Sequence, residues 1–265
     1  MSKLIQAKLA LAGAAVALAM TGTSVVALPV GWTSIGNSGT NFAADGDVTL
    51  APGFSSYHWI STAGAPSGVG LLPANPTGQE TNGSFAQTPT FTVAAGDKLD
   101  FFFNYITSDG AQFTEYAWAG LFQGSSTFDS YLFTARTTTS GDTVPGFGLP
   151  GLGSGVVLDP ATTAIIAGGP EFSPLGGSSG ACYSTGCGYT GWIEMSYTFL
   201  TDGTYSIGFG VTNALDTAFD TAFAFAGVSI NDVPIDGGSV PAPATLALLG
   251  SGLAGLGARL RKRKG

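Results

Sequence analysis

The sequence predicts an all-β protein: a single β-sandwich, jelly-roll-like, flanked by an N-terminal signal helix and a C-terminal transmembrane helix. Three observations carry this. Forty-one glycines and fourteen prolines stand beside eighteen phenylalanines and eight tyrosines, and only 10% of the 265 residues are charged, a balance that favours short strands and tight turns over packed helices. Aromatic and β-branched runs recur along the middle of the chain with Gly, Pro, Asn and Asp between them. Cations are concentrated at the two ends, each beside an apolar stretch.

The first element is MSKLIQAKLALAGAAVALAMTGTSVVA. Lys3 and Lys8 form a basic n-region and Leu9 to Met20 an apolar run, the order of parts of a secretory signal peptide. Val25 and Ala27 suit the small-residue positions before a cut between Ala27 and Leu28. This gives residues 1–27 to the signal and implies signal peptidase and the secretion machinery as partners. An ordinary buried helix and a retained signal anchor are the alternatives.

The body, residues 28–236, follows. Strands are predicted at 48–50, 57–61, 90–93, 98–106, 116–122, 131–136, 193–200, 204–211 and 223–230. Alternation is clearest in GTYSIGFGV, where Tyr205, Ile207, Phe209 and Val211 fall on one face. The near-continuous run LDFFFNYI predicts a strand covered on both faces, as in the middle of a sandwich. Residues 137–190 interrupt the rhythm with a long Gly/Pro-rich insertion in which only 156–158 and 164–167 look able to pair. Too little chain follows for a second sandwich, so the insertion reads as an elaborate surface loop rather than a boundary between lobes. Cys182 and Cys187 are the sole cysteines. In an exported chain a local disulfide is the leading reading; a metal site would need further soft ligands, and His58 is the only histidine.

The last element spans 237–265. Leu246 to Leu260 is a glycine-rich apolar stretch, reaching about nineteen residues if counted from Ala242, near the minimum for a bilayer span. Arg261, Lys262, Arg263 and Lys264 follow and would stay cytoplasmic by the positive-inside rule. Gly250, Gly252, Gly255 and Gly257 would let another helix approach closely. Val240-Pro241-Ala242-Pro243-Ala244-Thr245, the apolar run and the terminal basic cluster together resemble the PEP-CTERM sorting domain. That resemblance implies a Gram-negative bacterium making extracellular polysaccharide, recognition by an exosortase with processing near the Pro motif, and passage through the inner membrane to the cell surface or extracellular matrix. Ala242 departs from the family pattern, which usually has Glu there. The order DGDVTL, YHWISTAG, AGDKLDFFFNYITSDG, YAWAGLF is also similar to exported sandwich domains that precede such tails, with a jelly-roll fold of the kind seen in carbohydrate-binding modules.

Charge and motif narrow the chemistry. Between residues 28 and 245 two cations, Lys98 and Arg136, face all seventeen acidic residues, a net of minus fifteen. Such a surface repels phosphate backbones, so nucleic acid is excluded as a partner, while cations and neutral polysaccharide remain. A Ser-His-Asp triad would have to be built on His58, and no G-x-S-x-G elbow is present. Carboxylates for glycoside hydrolysis exist in Asp97, Asp100, Asp109, Glu115, Asp129 and Glu194, but no spacing pairs them. Asp45 and Asp47 in NFAADGDVTL can offer hard oxygen ligands to Ca2+, or form a metal-free Asp-Gly turn. Trp32, Trp59, Trp118 and Trp192 are the candidate platform for stacking on sugar rings; Trp59 and Trp118, set in strong strands, equally read as core. The expected function is a non-enzymatic surface or exopolysaccharide- and biofilm-associated matrix protein, with a carbohydrate-binding module carrying structural Ca2+ as the alternative.

Overall fold

A computed structural model describes residues 26–235. The predicted signal up to Val25, the sorting segment with Val240 to Thr245, the basic cluster Arg261 to Lys264 and both terminal helices lie outside the described residues. Among those described, no helix is long and apolar enough to cross a membrane.

The described strands are β1 (Thr33–Ile35), β2 (Asn37–Asn41), β3 (Tyr57–Ser61), β4 (Glu80–Gln87), β5 (Phe91–Val93), β6 (Lys98–Thr107), β7 (Tyr116–Gln123), β8 (Thr127–Ala135), β9 (Val156–Asp159) and β10 (Ile166–Ala167). After a 3-10 helix at Ser173–Ser178 come β11 (Gly188–Tyr189), β12 (Ile193–Thr198), β13 (Gly203–Ala214), β14 (Thr221–Ile230) and β15 (Val233–Pro234). They form two antiparallel sheets, so the protein is an all-β sandwich. The smaller sheet runs β1-β4-β13-β7-β8, with β5 also on β13; the larger runs β10-β11-β6-β14-β3-β2, with β12 on β6, β9 on β12 and β15 on β14. β4 and β5 form one interrupted edge of β13, because Pro89 between them has no N–H for the ladder. Thr88 spans the break: its amide donates to the Ile207 carbonyl and its hydroxyl accepts from the Ile207 amide, both at 3.0 Å.

The alternation in β13 is realised. Tyr205, Ile207, Phe209 and Val211 enter the central core, where they meet Phe101, Phe103 and Tyr105 of β6 and Phe223 and Phe225 of β14. Phe103 stacks on Phe133 at 4.0 Å and Phe209 on Phe225 at 4.2 Å, face-to-face contacts that add to burial of the rings. LDFFFNYI is covered on both faces, as its composition predicts. The reason is that each sheet carries a second apolar layer on its outer side. Tyr57, Trp59, Ile106, Ala222 and Ala224 on the larger sheet lie under Val48, Ala51, Phe172 and Leu175. Tyr116, Trp118, Phe122 and Tyr131 on the smaller sheet lie under Leu72, Leu149 and Leu152.

The 137–190 insertion supplies much of this cover. Val144 reaches the central core, Phe172 and Leu175 the outer layer of one sheet, and Leu149 and Leu152 that of the other. Residues 48–50, predicted as a strand, instead make a single bridge, Asp45 to Val48, and Val48 is spent on covering the sheet. β2 (NSGTN) and β4 (ETNGSFAQ) carry no hydrophobic alternation; pairing with β3 and β13 orders them.

Candidate functional site

The cover over the larger sheet is incomplete. A cleft of about 450 Å³ opens between the edge strand β2, the turn after it and the 3-10 helix, lined by Asn37, Thr40 and Asn41, by Phe42 to Asp45, by Trp59, and by Ser173, Pro174 and Gly176. Asn41 is its hub. The amide oxygen accepts from Trp59 Nε1 at 3.1 Å, and Nδ2 donates to Tyr57 Oη at 2.9 Å and to Asp45 Oδ2 at 3.3 Å. Burial holds the Tyr57 phenol protonated well above its ordinary range.

The Asp45-Gly46-Asp47 turn fastens the roof. Asp45 Oδ1 accepts from the Ser173 hydroxyl at 2.8 Å and the Ser173 amide at 3.3 Å. Asp47 and Glu171 exchange bonds: Asp47 N–H donates to the Glu171 carbonyl and Glu171 N–H to Asp47 Oδ2, both at 2.8 Å. Gly46, at φ +59°, is required here, since a Cβ would sit 2.0 Å from the Glu171 carbonyl oxygen. These carboxylates therefore serve as acceptors for the roof. Among the described residues no group of three or more His, Cys, Asp or Glu is placed to hold a metal ion.

The other predicted residues lie elsewhere. Trp59 lines the cleft yet is only 3% exposed; Trp118, 1% exposed, is on the opposite sheet and donates to the Gly70 carbonyl at 2.8 Å. Trp32 is half-buried and stacks on Phe209 and Phe225. Trp192 packs edge-on to Tyr57 and donates to the Thr49 carbonyl at 3.0 Å, behind the roof. The aromatic that does meet solvent at the cleft is Phe42, 63% exposed. Nothing in NSGTNF separates such a phenylalanine from a core one, and sequence reading missed it. His58 is buried, with Nδ1 2.8 Å from the Thr40 hydroxyl, between Trp32 and Phe225. At the predicted signal cut, Val26 bridges to Thr40, the Ala27 carbonyl accepts from the Thr40 hydroxyl at 3.0 Å and Leu28 packs on the central core.

Cys182 and Cys187 are disulfide-bonded, with Cα atoms 5.6 Å apart. Of the carboxylates considered for glycoside hydrolysis, Asp109 and Glu115 do meet, but in the interior, where each is 1% exposed. Asp45 is the one carboxylate lining the cleft, so the acid-and-base pair of a glycosidase does not face a ligand there. Amides, hydroxyls, an exposed ring and no basic group suit a neutral, hydroxyl-rich ligand.

Comparison with solved structures finds the K1 cleaved adhesin domain of Lys-gingipain from Porphyromonas gingivalis, at 12% identity over 75% of this chain and 92% of that one, TM-score 0.31. The K2 cleaved adhesin domain of Lys-gingipain is similar at 15% identity over 77% and 93%, TM-score 0.37. No curated protein matches the chain in sequence. The family model of the PEP-CTERM protein-sorting motif matches residues 239–263, the segment in which the sequence shows the Pro motif, apolar run and basic cluster. The chain thus carries a PEP-CTERM sorting motif behind an all-β sandwich body, and the motif marks an exported protein that an exosortase recognises at the membrane.

Proposed function

We propose that this is a non-catalytic surface or extracellular-matrix protein of a Gram-negative bacterium, delivered by its signal peptide and released to the exopolysaccharide or biofilm matrix by exosortase acting on the tail. The sorting motif at 239–263 is the observation that carries the reading. A densely covered sandwich agrees with a structural or adhesive role. Intact-mass measurement of the protein recovered from the cell surface and medium tests it. A species lacking Arg261 to Lys264 is expected; a chain that keeps those residues and stays in the inner membrane overturns the reading.

A second reading, carbohydrate binding, is favoured by one feature: Phe42 stands exposed at the rim of a cleft lined by Asn37, Asn41 and Ser173. An aromatic face beside amides and hydroxyls is the arrangement that stacks a sugar ring and bonds its hydroxyls. A structural Ca2+ at Asp45 and Asp47 would share carboxylates that also hold the roof, since Asp45 Oδ1 accepts from Ser173 and Asp47 Oδ2 from the Glu171 amide; a melting temperature unchanged by chelator would overturn it.

A further inference from the structure

We propose that Glu115 and Asp109 share one proton in the interior, and that this pair is a pH-sensitive clasp closing the 108–113 turn onto the disulfide-bonded loop. Glu115 Oε2 accepts from the hydroxyls of Thr107 at 3.2 Å and Thr221 at 3.3 Å. Asp109 Oδ1 accepts from the Gly110 amide at 2.7 Å. Glu115 Oε1 and Asp109 Oδ2 are left buried with no donor, although the two side chains are in hydrogen-bonding contact. One proton on Glu115 Oε1, donated to Asp109 Oδ2, satisfies both. Two anions in this place would each leave one buried oxygen without a donor and would repel in a dry interior.

The neighbouring groups give neither of these two oxygens a hydrogen bond. From β6 the pair meets Tyr105, whose hydroxyl donates to the Glu115 carbonyl at 3.5 Å, and Thr107; from β14 it meets Thr221. The 215–220 turn brings further acids: Asp216 acts on Asp109 by charge, and Asp220, engaged by Thr62 and Ser178 hydroxyls, accepts at its carbonyl from the Ser108 amide. Arg136 donates through Nη1 to the Phe147 carbonyl and lies over the Tyr116 ring at 5.5 Å, with Nε and Nη2 buried and given no hydrogen bond. Among the described residues the one ion pair is Lys98–Asp100, at the far end of β6. Burial raises the pKa of both carboxyls, and contact with Asp109 raises that of Glu115 further.

The pair sits where the disulfide-bonded loop docks. Tyr183 N–H donates to the Ser108 carbonyl at 3.0 Å and Ala111 N–H to the Thr185 carbonyl at 2.8 Å, either side of Asp109. The rings of Tyr183 and Phe113 meet edge-on at 5.4 Å. A carboxyl whose pKa is higher in the folded than in the unfolded state contributes stability that is complete below the unfolded value, about 4.3 for Glu, and is lost as pH rises through the folded pKa. Acid therefore closes the clasp and alkali opens it.

Infrared spectroscopy of the exported protein at neutral pH tests the proton directly. A protonated-carboxyl C=O band is expected in the wild type and absent in Glu115→Gln, which keeps a donor toward Asp109 without titrating. No such band in the wild type overturns the proposal, whether or not the variant folds. Hydrogen exchange reads the clasp. After correction for intrinsic rates, exchange of the Ala111 and Tyr183 amides should rise roughly tenfold for each pH unit within the titration and stay flat in Glu115→Gln. The same slope in both proteins overturns the coupling.

Discussion

The outer faces of the two sheets solve the same problem with different chemistry. On the smaller sheet, β13 presents Gly208 and Gly210 outward, and aromatic rings settle into the space left by the missing side chains: a Cβ at Gly210 would lie 2.3 Å from Trp118 Nε1, and one at Gly208 would lie 2.7 Å from Phe122. That face is sealed by ring-on-glycine contact, and Trp118, Tyr116 and Tyr131 also bond the covering segment at Gly70, Leu72 and Ala74. On the larger sheet the cover is brought from far along the chain, and its rim is fixed by Asp45 and Asp47, Asn41 and Ser173 through hydrogen bonds. Apolar cover closes over what it packs on, whereas a roof held by a few directional bonds leaves a gap, and the cleft is that gap. The face whose rim is held by polar bonds is thus the one that carries the cleft.

The sharpest way to break the contrast is Gly210→Ala. Its methyl would meet the indole of Trp118 rather than the flexible end of a side chain, so the ring must shift and its bond to Gly70 must lengthen. Overpacking of this kind costs about 2–3 kcal/mol, which in a body of this size lowers the melting temperature by about 4–12 °C. Thermal unfolding of the variant would check it, and the cleft residues should keep their hydrogen-exchange protection below the transition. An unchanged melting temperature would show that the trough has slack.

On the other face, Asp45→Ala removes the acceptor of two bonds from Ser173 and one from Asn41. All are at least partly open to water, so the expected loss is about 1–2 kcal/mol, less than for Gly210→Ala. The signature is local: faster exchange at the Ser173 amide, with the central strands unaffected. If protection fell instead across β13 and β14, the roof would be part of the core and the comparison between the faces would fail.

The contrast also explains what could be read in advance. The run YHWIS at β3, LDFFFNYI at β6 and the alternating β13 announce themselves because aromatic-rich runs and apolar side chains at a period of two are local properties of the sequence. The CYSTGC pair was legible for the same reason, being five residues apart. The cleft was half legible: Asp45 and Trp59 stand out as residue types, yet the partner that gives Asp45 its role, Ser173, is 128 residues away. Its wall β2 is edge strand made of Asn, Ser, Gly and Thr, which signals a loop until β3 is beside it. The acid pair shows the same limit. Asp109 and Glu115 stand in the sequence as two of several carboxylates that no spacing pairs, and only the fold, by burying both, makes them depend on each other.

The smallest effect on stability and the most specific on function belongs to Phe42→Ala. Phe42 is 63% exposed and belongs to none of the three apolar clusters, so its removal should change stability by less than about 0.5 kcal/mol. Its ring is nevertheless the aromatic surface that a ligand in the cleft would meet first. If the cleft takes a saccharide, a glycan array probed with the exported protein should give binding that falls roughly tenfold in Phe42→Ala, the loss of about 1.4 kcal/mol of stacking contact. Trp192→Phe, behind the roof, should leave that binding intact. Equal binding by wild type and Phe42→Ala would place the saccharide away from the cleft, and a blank array would leave the structural role in the matrix as the better account. The polar face would then have its gap for a geometric reason alone, since a roof held at a few points by hydrogen bonds cannot close as tightly as one that packs ring against glycine.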